Sequence, residues 1–219
     1  MSDDVPQSAP PAAPPVNPNE PALAVAEPPE LASYPVQLHI QRQEEYSRFM
    51  PLIKWLLAIP HYIALFFLGI AAIVVVFISF FAVLITGKYP QGMFNFVVGV
   101  NRWAYRVMAY TMLMRDGYPP FTLAPDPSYG VEFDIEHPET VNRWRPLVHW
   151  LLIIPYAIIA SLIISISQIA VLFAFFTILF TKKFPAGLFN FVHVGLNWNA
   201  RSQAYQNWMV TKYPPFIWG

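Results

Sequence analysis

Pro51-Leu-Ile-Lys-Trp-Leu-Leu-Ala-Ile-Pro60 returns later in the chain as Pro146-Leu-Val-His-Trp-Leu-Leu-Ile-Ile-Pro155. Each decapeptide leads into a long apolar run, Trp55–Thr86 and Trp150–Thr181, that contains no Asp, Glu, Lys or Arg. A spanning helix needs about 20 apolar residues, so either run is long enough to cross a bilayer. Pro60 and Pro155 remove a helix hydrogen bond near the start of each run, which predicts a kink there. The expected form is an interfacial helix up to the proline and a tilted crossing after it, with Trp55 and Trp150 as interfacial anchors.

The duplication extends outward from this stretch. Tyr34–Phe121 overlays Tyr129–Phe216 without a gap, and about 34 of the 88 aligned positions are identical. Phe94-Asn-Phe-Val97 falls on Phe189-Asn-Phe-Val192, and Tyr118-Pro-Pro-Phe121 on Tyr213-Pro-Pro-Phe216. The chain therefore divides into a Pro/Ala-rich tail (1–33), a first membrane repeat (34–121), a linker (122–128) and a second membrane repeat (129–219). The linker holds Pro125 and Pro127 and reads as short and stiff.

Composition agrees with a membrane setting. Hydrophobic residues make up 56% of the 219 and charged residues 12%, about half the charge of a soluble domain. The net charge of zero lacks the basic footprint of a nucleic-acid binder. With no cysteine there is no disulfide, thiolate nucleophile or Cys-based metal site. The acidic, Pro-rich start shows no signal peptide. Residues 1–33 carry no Lys or Arg and no periodic apolar face, so the tail is expected to be disordered, as a spacer or as a docking arm for a partner.

Within each repeat, Val36-Gln-Leu-His-Ile40 and Val131-Glu-Phe-Asp-Ile135 alternate apolar with polar, the period of a half-buried strand. A lone short strand is unstable, so the two are expected to pair. Glu44 and Arg48, and Glu139 and Arg143, stand four apart and are candidate ion pairs on a helical lead-in. After each apolar run comes an amphipathic segment, 92–114 or 187–209, that reads as a second crossing or as an interfacial helix. Asn95, Arg102 and Arg106 form a polar stripe on the first. Asn190, Asn197 and Arg201 repeat it on the second. Ionisable groups in such a segment are costly and often functional. The stripes are candidate polar seams or lipid-headgroup contacts, against a reading of snorkelling and helix–helix hydrogen bonding.

Both repeats carry the same charges, Arg48 with Arg143, Lys88 with Lys183 and Arg106 with Arg201. Cytoplasmic flanks collect Lys and Arg, so equal patterns imply equal orientation: two crossings per repeat, four in all, with both termini cytoplasmic. The fold class expected is an all-α integral membrane protein. Each of its two repeats pairs a kinked transmembrane helix with an amphipathic or second transmembrane helix, behind a short strand.

Chemistry is sparse. No phosphate-binding loop, zinc motif or nucleophile elbow is present. His61 and His193, the histidines in or near apolar segments, are read as packing groups, since Tyr156 and Val98 replace them in the other repeat. Ser161, Ser165 and Gln168 share one helix face and read as packing glue. No catalytic residue, metal or cofactor is expected. The leading reading is a non-enzymatic scaffold or accessory subunit, bound to membrane lipids and to a membrane-protein partner or a second copy. A small transporter or channel with a polar seam between the repeats is the alternative, and a lipid-modifying enzyme has less support.

The blocks KWLLAIPH, TGKYPQGMFNF and YPPF together resemble the bacterial domain-of-unknown-function 4389 family, small multi-pass membrane proteins often with a duplicated unit. The resemblance covers about 34–216. It implies a bacterial inner-membrane protein and brings no catalytic or binding residues with it.

Overall fold

A computed structural model describes residues 28–218. The disorder expected of the tail falls mainly on 1–27, outside the described residues. Residues 28–33 do not follow it: Pro29–Ala32 form a short helix, α1, with Leu31 buried.

The elements then run β1 (Val36–Ile40), α2 (Met50–Leu57), α3 (Ile59–Thr86) and α4 (Gln91–Thr111). After a 3-10 turn at Pro127–Tyr129 the order repeats as β2 (Val131–Ile135), α5 (Arg145–Leu152), α6 (Ile154–Thr181) and α7 (Ala186–Gln206). The fold is mostly helical but not all-α, because β1 and β2 form a two-stranded sheet. The predicted break falls at Ala58 and Ile153, each followed by the proline in the first turn of the next helix, where its missing N–H costs nothing.

The sheet carries the symmetry of the molecule. β1 and β2 pair antiparallel with Leu38 opposite Phe133 and Val36 opposite Ile135. Leu38 and Phe133 are equivalent positions of the two repeats, so a local two-fold axis passes between them, perpendicular to the sheet. Both strands bury alternate residues. Each strand packs on the other repeat's amphipathic helix, β2 on α4 and β1 on α7.

The segments flanking the strands are exchanged as well. Tyr46 donates its backbone N–H to the Lys182 carbonyl at 2.9 Å, and Val141 donates to Gly87 at 2.8 Å. This corrects the helical lead-in. Residues 41–47 and 136–142 are not helical, because their backbone groups are spent on the opposite repeat. Glu44–Arg48 and Glu139–Arg143 therefore do not share a helix face. The ion pairs among the described residues are Lys54–Asp116 and Arg102–Asp134 instead.

These exchanges also fix the helix directions. Val141 lies at the C-terminal end of α3 and precedes α6 by the short α5. Tyr46 lies at the C-terminal end of α6 and precedes α3 by the short α2. A 28-residue helix is about 42 Å long, whereas α5 with its flanking residues reaches roughly 25 Å. Side by side and parallel, α3 and α6 could not satisfy both contacts, so they run antiparallel. Phe80, late in α3, accordingly meets Trp208, just past α7, with ring centroids 5.6 Å apart. The equal orientation predicted from the charge pattern does not hold for these helices.

Helix ends repeat between the copies, with one difference. Gly87 and its counterpart Lys182 both terminate their helices in the left-handed region, at φ 71° and 59°. Glycine suits that position and lysine is strained there. Lys182→Gly is expected to stabilise the protein by about 1 kcal/mol, read as a raised Tm in detergent.

Candidate functional site

The polar stripes converge on the sheet rather than on each other. Arg102 donates through Nε to the Phe133 carbonyl at 2.9 Å and through Nη1 to the Leu123 carbonyl at 2.9 Å. Its Nη2 meets the Asp134 carboxylate at 3.1 Å. The counterpart Asn197, buried on α7, donates to the Leu38 carbonyl at 3.3 Å, and His193 contacts the same oxygen at 3.0 Å. Leu38 and Phe133 are the central strand residues. Each stripe thus grips the midpoint of the other repeat's strand.

Arg106 is 1% exposed and donates to the linker carbonyls of Thr122 and Ala124, at 3.2 and 2.8 Å. Burial holds its pKa below the ordinary arginine value, and the nearby Asp126 opposes that shift. Arg201 is equally buried, beside the phenols of Tyr34 and Tyr156. The positions equivalent to Thr122 and Ala124 are Ile217 and Gly219, and Gly219 lies outside the described residues. Asn95 and Asn190 do not join the cluster: both are exposed, and Asn95 accepts from Gln91 at 2.9 Å. Arg102 and Arg106 line a cavity of about 120 Å³ with Asp126, Glu132 and Phe133. That is smaller than the roughly 300–1,000 Å³ of sites for drug-sized ligands.

A second polar group was missed from the sequence. Lys54, 1% exposed on α2, meets Asp116 at 2.8 Å, donates to the Arg115 carbonyl at 2.7 Å and lies over the Tyr110 ring. Asp116 in turn accepts from the Ser47 backbone N–H. In the second repeat His149 takes the place of Lys54, stacked 4.0 Å from Tyr205 and bonded to its carbonyl. The available signal was a lone lysine in the apolar stretch that opens the repeat, a charge that needs a partner when buried.

His61 is fully buried. It accepts from the Trp103 indole at 3.1 Å and stacks on Phe121 at 4.0 Å. That is the packing role read from the sequence. Tyr156 replaces it in the second repeat and stacks on Trp198 at 4.6 Å. The face of Ser161, Ser165 and Gln168 read as packing glue is exposed instead, with Ser165 bonded back to the Ser161 carbonyl; the buried serine is Ser167, against α7, on another face of the helix. Gly195 of α7 faces Ser167, and a Cβ there would lie 2.5 Å from the serine hydroxyl.

Outside these clusters the surface is apolar. All but four of the large exposed hydrophobic side chains lie between Phe49 and Ile85 or between Trp144 and Phe180. Two segments, Met50–Thr86 and Ile154–Thr181, are long and apolar enough to cross a membrane; α4 and α7 are not among them.

The sequence pattern of a family described as a domain of unknown function, DUF4389, matches residues 51–122 and again 143–217. The chain belongs to the DUF4389 family, in two tandem copies. Each DUF4389 match takes in the long apolar helix, the amphipathic helix and the Tyr-Pro-Pro-Phe return, and leaves out β1 and β2. The strands that lock the two DUF4389 copies together therefore lie outside the family pattern. No curated protein and no solved structure matches this chain.

Proposed function

We propose that this DUF4389 protein is a non-enzymatic membrane-resident scaffold, embedded through α2–α3 and α5–α6 and holding its sheet and N-terminal segment for a partner. One observation carries the reading: the exposed large apolar side chains are concentrated on these helices. A soluble monomer rarely exposes a contiguous apolar patch beyond a few hundred Å². The polar groups support the scaffold over the transporter, because Arg102, Arg106 and Asn197 are engaged by strand and linker carbonyls. They tie the copies together and do not line a path between them.

The test is extraction of membranes from expressing bacteria. Sodium carbonate at high pH and concentrated salt are expected to leave the protein in the pellet, and detergent to release it as a folded particle. Release by carbonate alone would show a peripheral protein and remove the basis of the reading.

A further inference from the structure

We infer that the long apolar helices lie in the plane of one leaflet, with the pseudo-two-fold axis along the bilayer normal and the sheet facing water on one side. This rests on the membrane reading above and commits its apolar face to a single occupant, the acyl layer of one leaflet.

The molecule is layered. Helical residues advance about 100° each. On α4, Arg102 faces the sheet, while Trp103 and Met93, which touch His61 and Ser79 of α3, lie roughly 100° and 180° further round. On α7, Asn197 faces the sheet, while Trp198 and Gly195, which touch Tyr156 and Ser167 of α6, lie roughly 100° and 160° further round. The order is therefore sheet, then α4 with α7, then α3 with α6. The axis perpendicular to the sheet places both long helices on the face away from it.

Crossing the bilayer would place the wrong groups in its centre. The strands run alongside the helices. Tyr34, before β1, reaches Lys212 past the end of α7, and Arg42, after β1, reaches Phe184 before its start. The middle of the sheet sits at Arg102 and Asn197, each near the middle of its 21-residue helix. If α3 and α6 spanned, this midpoint would lie at mid-depth. Glu132 and Asp134 are exposed there, the Asp134 side chain to 77%. Both strands of the two-stranded sheet are also edge strands, held by side chains at their central carbonyls, and lipid-exposed sheet edges do not occur in the hydrocarbon region. A carboxylate at that depth is disfavoured as well.

The charges point the same way. Lys88 and Lys183 are equivalent, as are Arg48 and Arg143. Because α3 and α6 are antiparallel, a spanning arrangement would place equal positive charge on both sides, against the cytoplasmic bias of Lys and Arg. Seating in one leaflet puts all four on a single surface. It reconciles the equal charge patterns with the opposed helices.

The cysteine-free chain permits a direct test. Glu44→Cys, Lys88→Cys, Glu139→Cys, Lys183→Cys and Glu132→Cys are made singly, all at exposed positions. A membrane-impermeant maleimide is applied to right-side-out and to inverted vesicles of expressing bacteria. All five are expected to label in the same vesicle orientation and none in the other. Labelling of 44 with 183 on one side and 88 with 139 on the other would establish antiparallel crossings and overturn the inference. Labelling of 44 with 139 opposite 88 with 183 would establish parallel crossings and overturn it equally. So would protection of 132, or labelling of any position from both sides. Loss of the unsubstituted protein from carbonate-washed vesicles is a separate result, and it would defeat the membrane reading itself.

Discussion

Leu38→Asp, or its counterpart Phe133→Asp, is expected to cost at least about 4 kcal/mol and to release both repeats at once. The two side chains face each other across the pseudo-two-fold axis and are each 2% exposed. Phe133 also packs on Tyr105 of α4, with ring centroids 4.8 Å apart. A carboxylate there would be buried without a partner, or the strand pair would have to open. Opening is not local, because Arg102 holds the Phe133 carbonyl and Asn197 holds the Leu38 carbonyl. Limited proteolysis in detergent reads the result. Cleavage is expected near residues 41–47 and also near 136–142 in either single variant. Cleavage confined to the substituted repeat would show that the strands are independent.

Asp116→Ala is expected to destabilise by about 3–5 kcal/mol, the cost of leaving a buried cation uncompensated. Lys54 is nearly fully buried, and its ammonium keeps only the Arg115 carbonyl and the face of Tyr110 once the carboxylate is gone. Ser47 also loses the acceptor of its backbone N–H, which loosens the segment crossing to the other repeat. Lys54→Met combined with Asp116→Ala removes both charges and is expected to recover most of the loss. Replacing a buried pair with well-packed apolar groups is often near neutral. Thermal unfolding of the two single variants and the double variant in one detergent measures the coupling. Additive effects would show that the two side chains do not act as a pair.

Much of this architecture was legible in the chain. The ungapped duplication revealed two tandem copies, the period-two segments marked both strands, and the prolines at 60 and 155 marked where each long helix begins. Pairing of β1 with β2 followed from the instability of a lone strand. What the sequence could not give was the exchange between repeats. A segment such as 41–47 has the same local composition whether it caps its own helix or donates its backbone to Lys182. The helical spacing of Glu44 and Arg48 therefore misled. Helix direction was missed for a related reason: equal charges at equivalent positions do not record how the two long helices run relative to each other. At the site, the stripe of Arg102, Arg106, Asn197 and Arg201 was visible as costly polarity on an apolar helix. Its use became clear only with the strand and linker carbonyls in place, since backbone acceptors leave no mark in a sequence. Lys54 and Asp116 escaped because they lie far apart in the chain, with no local pattern to link them.

The interlock of the two repeats within one chain is tested most directly by a disulfide at the sheet. Gln37 and Asp134 oppose each other in the register of β1 and β2, both on the exposed face. Directly opposed strand residues have Cα separations of about 4.5–5.5 Å, within the usual range for a disulfide. Gln37→Cys with Asp134→Cys, oxidised in native membranes and cleaved by protease in the linker, is expected to keep the two halves joined until reductant is added. Halves that separate without reductant, or cross-links formed only between molecules, would contradict the account.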